Sequence, residues 1–342
     1  MSQDPRSLAA RPQDAAIAVV GVGRMGIGIA VSYAFAGLPV ALIDAKPRHA
    51  PAQDAVFDGV RQALRAELDT LAQLGLLAQE RIDAVLARIT LHERDAAAAP
   101  LRATPVVFEA VPERLDAKRD VFGWLGERIG ADCVLASTTS TFLVTQLADA
   151  APDPARFLNA HWLNPAHLIP LVEVSPGPDT LPEVVDGLEA VLRQAHKVPV
   201  RCSPSAGYIV PRIQALAMNE AARMVEEGVA SAEDIDTAVR LGFGLRFSVL
   251  GLLEFIDWGG NDILYYASRY LDVALGPRFQ APAVIERNME QGRNGLRDGL
   301  GFYDYRDQDV AAYRLRRLGE LVRRLEVMGH VPREGTATRQ PT

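Results

Sequence analysis

The sequence contains very little cysteine. Cys133 and Cys202 are the only two among 342 residues, too few for the disulfide framework of a small secreted protein. We expect both thiols to be buried and reduced, as in a cytoplasmic protein. No group of histidine, cysteine and acidic residues has the spacing of metal ligands, so we also expect no bound metal.

The sequence also lacks long apolar runs and any excess of basic residues. No apolar run approaches the ~20 residues of a membrane span, and the formal net charge of −7 offers no attraction for nucleic acid. The first residues lack the apolar segment of a signal peptide. We therefore expect no membrane and no nucleic-acid partner, a disordered leader over 1–14 and a disordered polar tail over 333–342.

The length of the chain, 342 residues, exceeds that of a typical single core, so two domains are expected. Apolar strands alternate with helices over 15–202, which predicts an α/β fold with a Rossmann-type doubly wound parallel sheet. Within it, residues 51–93 have helical apolar spacing and are predicted to form a helical hairpin that turns at Gly75. Residues 203–332 show only helical patterns and predict an all-helical second domain.

A glycine-rich turn follows the first predicted strand. Ile17 to Val20 leads into Gly21, Gly23 and Gly26, in the pattern G-x-G-x-x-G, and an apolar helix begins there. The first glycine permits a tight turn, the second lets the backbone approach a pyrophosphate, and the third lets the helix pack closely on the strand. Because a helix N-terminus attracts anions, this pattern predicts a dinucleotide-binding site.

The predicted cofactor site extends to neighbouring side chains. Arg24 and Met25 lie between the second and third glycines, and Asp44 ends the second strand, 18 residues after Gly26. A carboxylate at that distance accepts hydrogen bonds from a ribose diol and repels a 2′-phosphate. NAD is therefore the predicted cofactor, although basic side chains follow Asp44 closely.

Polar residues also follow two later strands. One strand is followed by an acidic loop with Glu109 and Glu113 and then by a helix with Lys118, and another ends in a hydroxyl cluster, Ser137 to Thr141. In parallel sheets ligands bind beyond the carboxyl ends of the strands. We therefore expect these polar side chains to lie near the cofactor.

A histidine occurs in the apolar segment AHWLNPAHLIPLVEV, which contains His161, Asn164 and Glu173. Taken alone, a histidine in an apolar strand is more often a satisfied core residue than a catalytic one. Here a cofactor site is predicted upstream, and Glu173 is placed to orient the imidazole. These two features favour a catalytic base over a core residue.

Six segments of the chain form an ordered set of motifs: GVGRMGIGIA, FEAVPERLDAK, LASTTS, AHWLNPAHLIPLVEV, GYIVPRIQALAMNEAARMVEEGVASAEDIDTAV and GLGFYDY. From Ile17 to about Tyr305 they resemble the 3-hydroxyacyl-CoA dehydrogenase family, including its 3-hydroxybutyryl-CoA dehydrogenases. The resemblance implies NAD-dependent oxidation of an L-3-hydroxyacyl substrate in fatty acid metabolism, by a homodimer joined through its helical domains. It also implies that Glu113 and Lys118 lie along the nicotinamide half of NAD.

The resemblance implies catalytic roles for four side chains. His161 would take the hydroxyl proton as general base, and Glu173 would orient it and stabilise the imidazolium that forms. Ser137 would hydrogen-bond the reacting oxygen or the nicotinamide. Asn164 would help to build the reaction pocket behind the base.

The sequence departs from the family at two positions near the implied substrate. Thr138 stands where the hydroxyl-rich loop usually has asparagine, and Pro211 replaces an asparagine that contacts substrate in the acyl-CoA enzymes. The segment GFGLRFSVLGLLEF is closer to the L-gulonate 3-dehydrogenase and carnitine dehydrogenase branches. Both a short-chain acyl-CoA, such as 3-hydroxybutyryl-CoA, and a free 3-hydroxy acid therefore stay open as the substrate.

Two residues of the helical domain belong to the predicted substrate site. Arg246 could bind a free carboxylate in bidentate fashion or form an ordinary surface ion pair, and Trp258 lies in a break between helices. A third possibility is a non-catalytic or structural NAD-binding protein, because a relative was recruited as a lens crystallin. The joint presence of His161, Glu173 and Ser137 argues against that possibility.

Overall fold

The computed structural model describes residues 17–332 and residue 334. They form two compact units, one up to Ala217 and one from Met218, so the division falls inside the helix Val210–Glu226. The predicted boundary between 202 and 203 stays a prediction. The predicted leader over 1–14 lies outside the described residues, as does the predicted tail over 333–342 apart from residue 334.

One sheet of eight strands organises the first unit. In chain order the strands are β1 (Ile17–Val20), β2 (Val40–Asp44), β3 (Ile89–Glu93), β4 (Val106–Glu109), β5 (Val134–Ser137), β6 (Phe157–Trp162), β7 (Leu171–Pro176) and β8 (Val198–Arg201). Across the sheet they are arranged β3-β2-β1-β4-β5-β6-β7-β8. Every neighbouring pair is parallel except β6 and β7, which are antiparallel. The predicted Rossmann-type sheet is confirmed.

Helices connect the strands of the first unit and make up the second. The α-helices of the described residues are α1 (Arg24–Phe35), α2 (Ala50–Gln73), α3 (Ile82–Leu86), α4 (Ala98–Ala103), α5 (Leu115–Gly126), α6 (Val144–Leu147), α7 (Pro182–Gln194), α8 (Val210–Glu226), α9 (Ala232–Ala238), α10 (Leu245–Phe247), α11 (Leu252–Gly259), α12 (Asn261–Leu275), α13 (Ala283–Glu290) and α14 (Val310–Val327). The second unit is therefore all-helical, as predicted.

The central strands β1, β4, β5 and β6 are buried along their whole length because both faces of the sheet are covered. All four residues of β1 are buried, and successive side chains point to opposite faces. Val19 and Phe108 belong to an apolar cluster that includes residues of α1, α2 and α7. Val20 and Val107 belong to a second cluster with residues of α5. Polar residues lie at the carboxyl ends of the strands.

The prediction of a helical hairpin over 51–93 is wrong for its last residues. Helix α2 is present, but Ile89–Glu93 forms β3, which pairs in parallel with β2 from Val40↔Ile89 to Asp44↔Glu93. This strand lies at the edge of the sheet and is only partly buried. Its few apolar residues fit helical spacing as well as strand spacing, so only the pairing with β2 determines its conformation.

Local sequence signals define several elements of the second unit. Ser231 caps α9 by accepting a hydrogen bond from Asp234 N at 3.1 Å. Gly260, with φ +112°, separates α11 from α12. The buried Asp257 accepts hydrogen bonds from Phe302 N at 2.9 Å and Tyr303 N at 2.8 Å, so its carboxylate fastens a later loop to α11.

The two cysteines are free thiols. Cys133 is buried, whereas Cys202 is only partly buried, so the expectation of two buried thiols is wrong for Cys202. It directly follows β8, which is an edge strand and exposes its ends. Among the helices of the described residues, none is both long and apolar enough to cross a bilayer.

Candidate active site

The glycine-rich turn lies between the carboxyl ends of β1 and β4, where the strand order reverses and dinucleotides bind in this fold. A Cβ on Gly21 would lie 2.3 Å from Ala110 O, and one on Gly26 would lie 1.9 Å from Gly21 O. A Cβ on Gly23, in contrast, would meet no protein atom within 4 Å. The first and third glycines are therefore required by the fold, and Gly23 leaves an open cradle that fits a pyrophosphate.

The other predicted cofactor residues surround this turn. Arg24 and Met25 begin α1, with Arg24 exposed. Asp44 is buried at the end of β2, where its carboxylate accepts hydrogen bonds from Arg48 Nε at 2.6 Å and Gln53 Nε2 at 3.3 Å. Lys46 N also donates to Asp44 Oδ1 at 3.2 Å. A carboxylate has about four acceptor sites, so one remains for a ribose hydroxyl.

A row of polar side chains crosses the sheet beside this turn. Glu109 on β4 pairs with Ser137 on β5, Ser137 pairs with Asn159 on β6, and Asn159 pairs with Ser175 on β7. Directly paired residues of neighbouring strands point to the same face. All four side chains are buried, where polar groups are normally hydrogen-bonded. Within the row, Ser137 bonds to Glu109. Asn159 Nδ2 instead donates to Phe142 O and Tyr208 Oη, outside the row.

Glu109 stands at the β4 end of that row; the sequence predicts it near the cofactor, but in a loop after the strand, and indicates no role for it. Ser137 Oγ donates to Glu109 Oε2 at 2.6 Å, and Lys118 Nζ donates to the two carboxylate oxygens at 3.0 and 3.1 Å. The sequence signal for this role was a carboxylate at the end of a buried strand. Ser137 thus donates its hydroxyl hydrogen to Glu109, and its Oγ can still accept a hydrogen bond from another group.

Glu113 holds the hydroxyl loop that follows β5. It accepts hydrogen bonds from the hydroxyl of Thr139 and from Thr141 N, and Lys118 Nζ lies 3.4 Å from its Oε2. Burial raises the pKa of Glu113, but these hydrogen bonds and the charge of Lys118 outweigh it and hold the pKa below its usual value. The contacts of Glu113 and Lys118 with NAD stay a prediction.

His161 and Glu173 form a buried pair. They are directly opposite each other in the antiparallel register of β6 and β7, and His161 Nδ1 lies 2.8 Å from Glu173 Oε2. Because a carboxylate only accepts hydrogen bonds, Nδ1 carries the proton and Nε2 keeps its lone pair. The other oxygen, Glu173 Oε1, accepts hydrogen bonds from Ile209 N and Val210 N, both at 2.8 Å.

Asn164 follows β6 closely and is exposed, and no hydrogen bond joins its side chain to another described residue. Its loop is held through two carbonyl groups: Lys197 Nζ donates to Ala166 O at 2.6 Å and to Ile169 O at 3.0 Å. Burial lowers the pKa of Lys197 to about 8, while the two carbonyl acceptors favour its charged form. Sequence reasoning missed Lys197, which carries no motif signal.

Arg246 and Trp258, the predicted substrate residues of the second unit, line one small cavity of about 80 Å³. The Arg246 guanidinium lies over the ring of Phe255, 5.0 Å from its centroid, and its Nε donates to Gly242 O at 2.9 Å. No carboxylate of the described residues forms an ion pair with Arg246. The remaining lining residues are mainly apolar: Val249, Leu250, Phe255, Arg317, Leu318 and Leu321.

The class of protein that fits this site is a dinucleotide-dependent dehydrogenase. Its glycine turn suits a pyrophosphate, its buried acid suits a ribose, and its buried histidine–glutamate pair suits proton transfer. Family models agree with this class along most of the chain: the 3-hydroxyacyl-CoA dehydrogenase NAD binding domain matches residues 16–205, and the 3-hydroxyacyl-CoA dehydrogenase C-terminal domain matches residues 207–305. The chain therefore belongs to the 3-hydroxyacyl-CoA dehydrogenase family. It is an NAD-dependent oxidoreductase acting on CH–OH groups.

Individual relatives show how varied the family is. A 5-formyl-3-hydroxy-2-methylpyridine 4-carboxylate 5-dehydrogenase from Mesorhizobium japonicum is 32% identical over 90% of this chain and 96% of its own. Lambda-crystallin from Oryctolagus cuniculus is 32% identical over 76% of this chain and 80% of its own. The crystal structure of a 3-hydroxyacyl-CoA dehydrogenase from Archaeoglobus fulgidus superposes with a TM-score of 0.72 at 30% identity, covering 92% of this chain and 99% of that one.

The position of Asp44 predicts the effect of removing its carboxylate. Asp44→Ala should lower kcat/KM with NAD by about 10-fold or more, because hydrogen bonds to a charged group contribute ~1.5–3 kcal/mol. The ratio of kcat/KM with NAD to kcat/KM with NADP should fall, because Arg48 no longer bonds to Asp44 and can bind the 2′-phosphate of NADP. Initial rates with each cofactor measure both effects. Asp58→Ala, an exposed acid on α2, is the control, and an unchanged NAD preference in Asp44→Ala would contradict the assignment.

Proposed function

We propose that the enzyme oxidises an L-3-hydroxyacyl-CoA of short chain length, such as 3-hydroxybutyryl-CoA, to the 3-oxoacyl product. The pairing of His161 with Glu173 carries this proposal, because it provides an oriented base with a free Nε2 at the carboxyl end of β6. The parallel strands β1, β4, β5 and β6 end at the same edge of the sheet. The base therefore lies on the edge that also carries the glycine turn.

The chemistry follows from these groups. His161 Nε2 takes the proton of the substrate hydroxyl as the carbon–hydrogen bond breaks. The bound nicotinamide supplies the acceptor for the hydride. Glu173 keeps the imidazole in the tautomer that leaves Nε2 free, and it stabilises the positive charge of the imidazolium. Ser137 Oγ offers an acceptor for an amide or hydroxyl donor, because its own proton is directed to Glu109.

A free 3-hydroxy acid, of the L-gulonate or carnitine type, is the second candidate substrate. Three observations favour it: Pro211 stands in place of the asparagine of the acyl-CoA enzymes, Arg246 is a guanidinium without a carboxylate partner among the described residues, and the Mesorhizobium relative is named for a free carboxylate. The acyl-CoA is preferred because the Archaeoglobus structure, which superposes along nearly the whole chain, is described as a 3-hydroxyacyl-CoA dehydrogenase.

The proposed base predicts the behaviour of a variant. His161→Gln should lower kcat by about 100-fold or more, the usual contribution of a general base, while NADH still binds because the cofactor residues are unchanged. Turnover and NADH fluorescence titration measure the two effects. His92→Gln, at a partly buried histidine of the edge strand β3, is the matched control. A His161→Gln enzyme with more than a tenth of the wild-type kcat would rule out the proposed base.

The choice between substrate classes has a direct test. NADH formation should be measured side by side with L-3-hydroxybutyryl-CoA, free L-3-hydroxybutyrate, L-carnitine and L-gulonate at equal concentrations. We expect kcat/KM to be highest with the CoA ester. Turnover confined to the free acids would replace the CoA ester by the second candidate, and loss of that turnover in Arg246→Ala would then identify the carboxylate-binding group.

A homodimer, formed through the helical domain in the cytoplasm, belongs to the same proposal. The second unit exposes large apolar side chains, among them Tyr270 at 73% and Val273 at 89% on α12. Met218, Val225 and Val229, on α8 or just after it, are also exposed. An apolar surface of this kind is characteristic of a protein–protein interface. The family resemblance implies a second copy of the chain as the partner, and the exposed apolar surface supports it.

The dimer can be tested by light scattering coupled to gel filtration. The wild-type protein should have twice the mass of one chain, and Val273→Asp should shift it toward the monomer because a charge enters the apolar surface. Leu74→Asp, an equally polar change at an exposed leucine of the first unit, should leave the mass unchanged. A wild-type monomer at micromolar concentration would exclude the proposed dimer.

A further inference from the structure

A tyrosine lies against the proposed base. Tyr208 is in the segment between β8 and α8, and its ring is stacked on the imidazole of His161, with 4.7 Å between the ring centroids and 10° between the planes. The side chain is buried. Its backbone φ is +46°, in a left-handed region that non-glycine residues seldom adopt. A conformation of this kind persists only where the surrounding structure enforces it.

The hydroxyl of Tyr208 fixes the far end of the ring. It donates a hydrogen bond to Thr139 O at 2.8 Å and accepts one from Asn159 Nδ2 at 3.1 Å. Burial raises the pKa of Tyr208, so the hydroxyl stays protonated and remains a donor at neutral and moderately alkaline pH. Thr139 belongs to the hydroxyl loop, and Asn159 lies two positions before His161 on β6. The ring is thus anchored to elements that carry the site.

The two residues after Tyr208 contact the other member of the pair. Ile209 N and Val210 N both donate to Glu173 Oε1 at 2.8 Å. These N–H groups lie at the start of α8, where no carbonyl of the helix can accept from them and where negative charge is favoured. Three consecutive residues therefore hold both His161 and Glu173.

We propose that Tyr208 is a positioning residue for the base: its anchored ring holds the plane of the His161 imidazole and stabilises the imidazolium formed when Nε2 takes the substrate proton. An aromatic face within about 6 Å of a cation attracts it, and the stacked geometry provides such a face. The inference rests on the proposed function of His161. It extends the site to the chain segment that enters α8.

The proposal predicts separate effects for the ring and the hydroxyl. Tyr208→Leu removes the ring and should lower kcat by about 3- to 30-fold, the range that a desolvated cation–aromatic contact supports. The KM for NAD and the Kd for NADH should stay within about twofold, because no cofactor residue changes. Tyr208→Phe keeps the ring and should retain at least about a third of kcat.

Controls separate positioning from general packing. Phe122→Leu removes a buried ring of the same unit that stacks on Phe157 and not on His161, so it should reduce thermal stability and keep kcat within about twofold. All rates are divided by the measured concentration of NADH-binding sites. Misfolded protein that cannot bind NADH therefore does not lower the calculated kcat. Tyr208→Met, whose longer and more flexible side chain can better fill the space of the ring, replaces the leucine variant if that variant fails to fold.

The outcomes distinguish this inference from the proposed function. A Tyr208→Leu or Tyr208→Met enzyme with kcat within twofold of wild type would overturn the role of the ring, as would equal losses in Tyr208→Phe and Tyr208→Leu. An inactive His161→Gln enzyme together with an unaffected Tyr208→Leu enzyme would reject the inference alone. An active His161→Gln enzyme would reject the base itself.

Discussion

The buried carboxylate of Glu173 is the group on which the site depends. A charge removed from water must be paired and hydrogen-bonded, or it destabilises the fold. Glu173 meets this condition with His161 Nδ1 on one oxygen and two backbone N–H groups on the other. The partners come from β6 and from the start of α8, so satisfying one carboxylate aligns the strand that carries His161 with the helix that leaves the sheet.

A second buried charge organises the neighbouring strands in the same way. Glu109 binds Lys118 and Ser137, and Lys118 also approaches Glu113, which fastens the hydroxyl loop. These bonds connect β4, β5 and α5 through the chain's own side chains. A site whose polar groups are already oriented needs little reorganisation during reaction, which fits its position at the edge where the dinucleotide fold binds its cofactor.

Much of this arrangement could be predicted from the sequence because its signals are local. The glycine pattern with Asp44 18 residues later, the alternation of strands and helices, and the cap at Ser231 each depend on neighbours in the chain. The strand β3 could not be recognised, since an edge strand with few apolar residues owes its conformation to pairing with β2. Lys197 and Tyr208 were missed, and Glu109 was given no role, because their partners are distant in sequence.

The sequence by itself determined the class of fold, the cofactor NAD and the pairing of His161 with Glu173. Strand periodicity, glycine spacing and the order of the motifs can all be read directly from the linear sequence. Only the tertiary structure decided that Ser137 donates to Glu109, that Arg246 and Trp258 line one cavity, and that Tyr208 stacks on His161. Each of these depends on the register between strands or on the path of a connecting segment. Such relations arise when distant parts of the chain pack together, since burial then favours a hydrogen-bond partner for each polar group.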